Sequence, residues 1–180
     1  MTVVIIIVIV IIIAIVLLYN HLIGLNIRCK NAWAGIDNQL KRRYDLIPNL
    51  VEVTKGYASH ERETLIEVVK ARNDEGTLSQ RALESEKVSK NVKDLLAVAE
   101  QYPDLKANEL FKNLQIELTG TEDKIAFARQ FYNDSVQKYN TAIMSFPNNI
   151  LAKIMNYKEK DYFEVKENEK ENVKVDLKWF

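Results

Sequence analysis

The first feature of the chain is an unbroken run of Val, Ile, Leu and Ala from Val3 to Leu18. As a helix the run covers about 24 Å, and extending it to Leu25 gives about 37 Å, enough to cross a bilayer core of ~30 Å. No Lys, Arg, Asp or Glu occurs before Arg28. No basic residue precedes the run and no small-residue cleavage site follows it, so a retained anchor is favoured over a cleaved signal peptide. The sequence therefore predicts a transmembrane anchor at residues 1–27.

The orientation of this anchor is predicted from the basic residues that flank it. Arg28, Lys30 and the cluster Lys41-Arg42-Arg43 follow the apolar run, whereas nothing basic but the terminal amine precedes it. Because cytoplasmic flanks carry the excess of Lys and Arg, we expect a single pass with the N-terminus outside and the domain in the cytoplasm.

Beyond the anchor, apolar residues recur with the spacing of an α-helix through residues 28–157. This pattern predicts an all-α antiparallel bundle of three to four long helices. The first helix contains Pro48, and we expect a kink near Tyr44 to Ile47 rather than two separate helices. A second helical stretch lies between Leu65 and Arg72 and resumes at Val88, with Pro103 as a turn and Asp104 as a helix cap. The seam of the resumed stretch is Val88, Val92, Leu95, Ala99 and Tyr102.

The third stretch is the most regular, because its apolar and small positions alternate in steps of three and four. We expect one long helix from about Lys106 to Ser145, passing through Gly120, although Thr119 to Glu122 also resembles a helix start. A short helix near Ile150 to Met155 follows, and residues 158–180 form a charged, partly extended tail that alternates near its end. The seam positions are Phe111, Leu114, Leu118, Thr121, Ile125, Ala128, Tyr132, Ser135, Tyr139 and Ala142.

The composition excludes several classes of function. The 25 basic and 25 acidic residues cancel, which argues against nucleic acid as a partner, and one cysteine excludes a disulfide scaffold and a cysteine-based zinc cage. His60-Glu61 begins like a zinc-protease motif, but Thr64 occupies the place of the second histidine. No phosphate-binding glycine loop is present. We expect no catalytic residues, no metal site and no cofactor, and therefore no enzyme.

Two clusters have more than one interpretation. Lys41-Arg42-Arg43 lies beside Asp37 and Asp45 and is typical of a solvated or ion-paired helix face, with lipid head groups as the alternative. Tyr132-Asn133 and Tyr139-Asn140 recur seven residues apart and share a helix face. They are expected to make polar contacts that set the register between helices. A ligand pocket that also uses Arg129 and Glu122 is the alternative.

Four long segments of the chain occur in a distinctive order. They are NAWAGIDNQLKRRYDLIPNLVEVTKGYASHERETL, AVAEQYPDLKANELFKNLQIEL, TGTEDKIAFARQFYNDSVQKYN and SFPNNILAKIMNYKEKDYFE. Together they resemble the LemA family over about Ile27 to Val175. This resemblance implies a bacterial envelope protein with one N-terminal transmembrane helix, a short external N-terminus and a compact helical bundle, and it brings no catalytic residue.

We therefore expect an interaction or scaffold protein in the bacterial cell membrane. Its partners would be the lipid bilayer, through residues 1–27, and a second protein or another copy of the chain. A lipid-organising protein that self-assembles at the bilayer is the alternative function, and an enzyme is a distant third.

Overall fold

The computed structural model describes residues 1–55, 78–99 and 101–164, and this part of the chain is built from helices. The prediction of an all-α fold is confirmed. The predicted stretches at Leu65 to Arg72 and His60 to Thr64 lie outside the described residues, as does the tail beyond Glu164. The helices are α1 (Thr2–Lys55), α2 (Leu78–Ala99), α3 (Pro103–Ala107), α4 (Glu109–Met144) and α5 (Asn148–Ile154).

α1 is one helix through Pro48, as predicted, and it has two environments. Its N-terminal part, from Thr2 to His21, is apolar and almost entirely exposed, and is named the bare segment here. The helix is long and apolar enough to cross a membrane. At Leu22 the exposed fraction falls to 0%, because Leu22 packs with Ile143 and Ala152 in the bundle. The stretch from Thr2 to His21 spans about 30 Å at roughly 1.5 Å per residue, which matches the hydrocarbon thickness.

α4 continues through Gly120 without a break, which confirms the prediction of a single long helix. All ten seam positions are buried or half-buried. The helix starts at Glu109 rather than near Lys106, because the Asn108 side chain accepts hydrogen bonds from the backbone N–H groups of Leu110 (2.9 Å) and Phe111 (3.2 Å).

The turn before α4 differs from the prediction. Asp104 is not a cap but lies in the first turn of α3, which begins at Pro103 with Tyr102 as its N-cap residue. Proline is well placed at the start of a helix, since its missing N–H would have no intrahelical partner there. Tyr102 therefore lies outside α2, although its side chain still packs against the bundle.

α1 and α4 run antiparallel, because Trp33 contacts Tyr132 while Arg43, further along α1, pairs with Glu122, earlier in α4. Their packing forms two hydrophobic cores. The proximal core, next to the bare part of α1, contains Leu22, Cys29, Ala32, Ile36, Leu40, Ala82, Ile125, Tyr132, Val136, Tyr139, Ile143, Ala152 and Phe163. The distal core contains Ile47, Leu50, Val51, Val88, Val92, Leu95, Leu105, Phe111, Leu114 and Leu118.

The predicted closing helix is present as α5, from Asn148 to Ile154. Ala152 is buried, whereas Ile150 and Ile154 face outwards. After α5, residues 157–164, named the strap here, have no regular secondary structure, as the charged sequence predicts.

Candidate functional site

The strap lies along α4 and is held there by the two asparagines of the Tyr-Asn pairs. The Asn140 side chain donates to the Lys160 carbonyl and accepts from the Lys160 N–H, both at 2.9 Å. Asn133 accepts from the Phe163 N–H at 2.8 Å and donates to the Phe163 carbonyl at 3.3 Å. Each amide therefore satisfies the donor and the acceptor of one strap residue, as a neighbouring strand would.

The register between the strap and α4 follows from the spacing of the bonded residues along each segment. Asn133 and Asn140 are separated by two helical turns, about 10.5 Å of rise. Lys160 and Phe163 are separated by three residues, about 10 Å of extended chain. The two spacings match, so an asparagine repeated every seventh residue can hold every third residue of an extended segment that runs antiparallel to the helix.

The two tyrosines add a second row of contacts with the same spacing. Tyr139 Oη donates to the Lys158 carbonyl at 3.2 Å, and Tyr132 Oη donates to the Asp161 carbonyl at 3.1 Å. Both rings are buried in the proximal core. Burial raises the pKa of Tyr132 to about 12, with smaller contributions from Cys29 and Asp161. Burial also raises the pKa of Tyr139, because a phenolate there would lose its hydration.

Phe163 anchors the end of the strap. Its ring is buried and packs 5.8 Å from the Trp33 ring, between centroids, and the Arg129 guanidinium lies 5.0 Å from the centre of the Phe163 ring. Trp33 also meets Tyr132 edge-on at 5.5 Å. These contacts place the strap over the groove between α1 and α4, so that it covers the aromatic side of the proximal core.

A small cavity of about 280 Å³ lies beside these aromatics and is lined by Cys29, Lys30, Trp33, Leu78, Tyr132 and Lys160. Burial raises the pKa of the Cys29 thiol, and the nearby charges of Lys160 and Arg28 oppose this only in part. Since the thiolate is the reactive form, the thiol is suited to packing and not to nucleophilic attack at neutral pH.

Between the two cores lies a buried polar layer around Arg43, whose exposed fraction is 0%. The Arg43 Nη1 atom donates to the Ser85 carbonyl (3.2 Å), to Ser89 Oγ (2.9 Å) and to Glu122 (3.2 Å). Ser89 Oγ in turn donates to Glu122 at 2.7 Å. The layer therefore joins α1, α2 and α4. Arg43 is ion-paired, as one form of the interpretation expected, but the pair lies inside the bundle and not on a helix surface. Lys41 and Arg42 are exposed as expected.

The structure brings together only part of the set that the ligand-pocket hypothesis grouped. Glu122 and Arg129 line an open groove of about 510 Å³ between α2 and α4. The Tyr-Asn pairs face the strap, which Arg129 also contacts through the Phe163 ring, whereas Glu122 pairs with Arg43. We expected the Tyr-Asn side chains to make polar contacts with another helix. This is wrong, because they bind the extended backbone of the strap. The repeat of Tyr-Asn at a heptad was a usable signal, but the sequence of the strap carries no matching pattern.

In the described ranges, no three His, Cys, Asp or Glu side chains lie close enough together to hold a metal ion. His60-Glu61 is outside those ranges. The arrangement that the described residues do form is suited to binding and positioning peptide backbone, through amide and phenol groups that approach main-chain atoms.

The sequence is similar to several known bacterial proteins. Two MamQ magnetosome proteins of Paramagnetospirillum magneticum are each 26% identical to the chain over 84% of it, and the MamQ of Magnetospirillum gryphiswaldense is 23% identical over the same share. The chain spans 66% of the length of these relatives. The protein LemA of Metamycoplasma hominis is 25% identical over 86% of this chain and 72% of its own length. The LemA family model matches residues 32–177. The chain belongs to the LemA family.

Proposed function

We propose that this protein is a membrane-anchored helical scaffold that crosses the bacterial cell membrane once and presents its bundle to a protein partner at the cytoplasmic face. The observation that carries the proposal is the continuity of α1. The same helix passes from a bare apolar segment into the bundle core at Leu22, with no linker between them. A bundle attached in this way keeps a fixed direction relative to the bilayer, which is useful for holding a partner and is not required for catalysis.

The interior of the bundle supports a binding role. Arg43 and Glu122 join three helices, and the Tyr-Asn pairs hold the strap. These polar groups are engaged in structural contacts. Ser89 does donate to the Glu122 carboxylate, but the same carboxylate is ion-paired with the buried Arg43, which lowers its strength as a base. We therefore propose that the protein is not an enzyme.

We assign the partner contact to the outer face of α4. Phe127 is largely exposed there, and Phe131 lies one turn further along with the Arg28 guanidinium 5.4 Å from the centre of its ring. Aromatic side chains with an adjacent arginine are common at the centres of protein interfaces, since they offer large apolar area at low entropic cost.

Site-specific photocrosslinking in intact cells tests this function. A benzoylphenylalanine at Phe127 should give a discrete protein adduct, whereas the same probe at Gln137, on another exposed face of α4, should not. An adduct of twice the chain's 20.8 kDa would identify the partner as a second copy.

The lipid-organising function is the second candidate, and the exposed apolar residues at the proximal end of the bundle favour it. If Phe127 gives no protein adduct and the purified full-length chain deforms vesicles on its own, the scaffold proposal is wrong and the lipid-organising function replaces it.

A further inference from the structure

We propose that the proximal end of the bundle is a second membrane-contact surface, which lies on the same bilayer that α1 crosses. This surface, the apolar cap, consists of Met144, Phe146, Ile150 and Ile154. The inference rests on the proposed function, because it requires α1 to span the membrane. It goes further by assigning a lipid contact to the folded domain itself.

The position of the cap comes from the antiparallel packing of α1 and α4. Leu22, where α1 enters the bundle, shares the proximal core with Ile143 at the end of α4 and with Ala152 in α5. The cap residues flank these two. They therefore lie at the same end of the bundle as the point at which the bare segment of α1 begins.

The cap side chains point away from the core. Phe146 is 79% exposed and Ile154 is 75% exposed, and Met144 and Ile150 are each more than half exposed. Ile150 and Ile154 lie one turn apart on one face of α5, while Ala152 and Leu151 pack inwards. Four large apolar side chains within eleven residues form a denser patch than the more widely spaced Leu110, Ile116 and Phe127 on α4.

Length and charge identify the bilayer as the occupant. The bare segment from Thr2 to His21 is about 30 Å long, so the hydrocarbon ends where Leu22 enters the bundle, and the cap then lies at head-group depth. Lys153 is exposed between Ile150 and Ile154, and Arg28 and Lys30 are exposed on α1 about two turns further from the membrane than Leu22. An apolar helix face flanked by basic side chains is typical of an interfacial helix on anionic lipid.

α5 differs from a free interfacial helix because it is held in place before it meets lipid. A helix of two turns is not stable alone in water, but α5 is packed against α1 and α4 through Ala152 and Leu151. The cap therefore needs no ordering on contact with the bilayer. It fixes the tilt of the bundle as a second point of attachment beside α1.

Spin-label accessibility in reconstituted vesicles tests the cap. The full-length chain, with Cys29→Ala to leave one labelling site, is placed in vesicles of mixed zwitterionic and anionic lipid, and a nitroxide is attached at Ile154→Cys. The matched control is Ile116→Cys, an equally exposed isoleucine (70%) on α4 beside the distal core. We expect the ratio of oxygen to nickel-chelate collision rates to be severalfold higher at position 154 than at position 116.

A third label separates the two levels of the proposal. Ile9→Cys lies in the bare segment of α1 and should show the highest ratio. If position 9 is lipid-exposed but positions 154 and 116 give equal ratios, the cap proposal is overturned and the anchored scaffold stands. If position 9 is exposed to the nickel chelate, the membrane span itself is wrong and the cap fails with it. Ile150→Cys serves as a second cap site if circular dichroism shows that Ile154→Cys disturbs the fold.

Discussion

The proximal and distal cores are built on the same two helices but are closed in different ways. The distal core is almost entirely aliphatic and is covered by α2 and α3, with Leu118 and Leu50 at its centre. The proximal core contains Tyr132 and Tyr139, with Trp33 packed against it, and it is covered on one side by the strap. Helix-on-helix packing completes one core, and a segment without secondary structure completes the other.

The difference shows what a heptad pattern specifies. Aliphatic seam residues need only area removed from water, which any neighbouring helix supplies. The buried phenols and amides also need hydrogen-bond partners, because an unpaired polar group in the interior costs free energy. A helix has few free main-chain groups to offer, whereas an extended strap presents a carbonyl and an N–H at each residue.

Substitutions in the polar layer between the two cores should lower the stability of the fold most. Arg43→Ala removes the partner of Glu122 and leaves space beneath Ser85 and Ser89, so we expect a loss of about 3–5 kcal/mol in the free energy of unfolding. Arg42→Ala is the matched control, since its contact with Glu117 is long (3.9 Å) and half-exposed, and an exposed pair is worth about 0–1 kcal/mol. Denaturant unfolding in detergent measures both. Equal, small losses would show that the layer does not couple the cores.

The strap contacts should affect the proximal core alone. Asn140→Ala removes both hydrogen bonds to Lys160, and we expect a loss of about 1–3 kcal/mol. In hydrogen exchange, the Lys160 amide should lose its protection while the amides around Leu118 keep theirs; Gln137→Ala, at an exposed site, should change neither. Rapid exchange of the Lys160 amide in the unaltered protein would contradict the account of the strap.

The smallest expected effect is at a single hydroxyl. Tyr132→Phe removes the bond to the Asp161 carbonyl and should cost about 1 kcal/mol near neutral pH. The folded-state pKa of Tyr132, about 12, exceeds the ordinary value of 10, so its contribution is fully present below pH 10 and is lost as the pH rises through 12. Stability measured between pH 10 and pH 12 should therefore fall less steeply in Tyr132→Phe than in the unaltered protein.

The periodic features of this molecule could be predicted from sequence. The α4 seam, its passage through Gly120 and the continuity of α1 at Pro48 follow from hydrophobic spacing. The burial of Arg43 could not be predicted, because it depends on Ser85, Ser89 and Glu122 arriving from two other helices. The contact between the strap and the Tyr-Asn pairs could not be predicted either. The asparagines and tyrosines bind backbone groups of the strap, and a strap of any sequence has those groups.

The central proposal for this molecule is that α1 spans the membrane and holds the bundle at the cytoplasmic face. The direct measurement is labelling with a membrane-impermeant maleimide in intact and permeabilised bacterial cells, using full-length chains with Cys29→Ala and one new cysteine. Thr2→Cys should react in both preparations. Lys112→Cys, at an exposed site on α4 beside the distal core, should react only after permeabilisation. Full reaction of Lys112→Cys in intact cells would place the bundle outside and contradict the account.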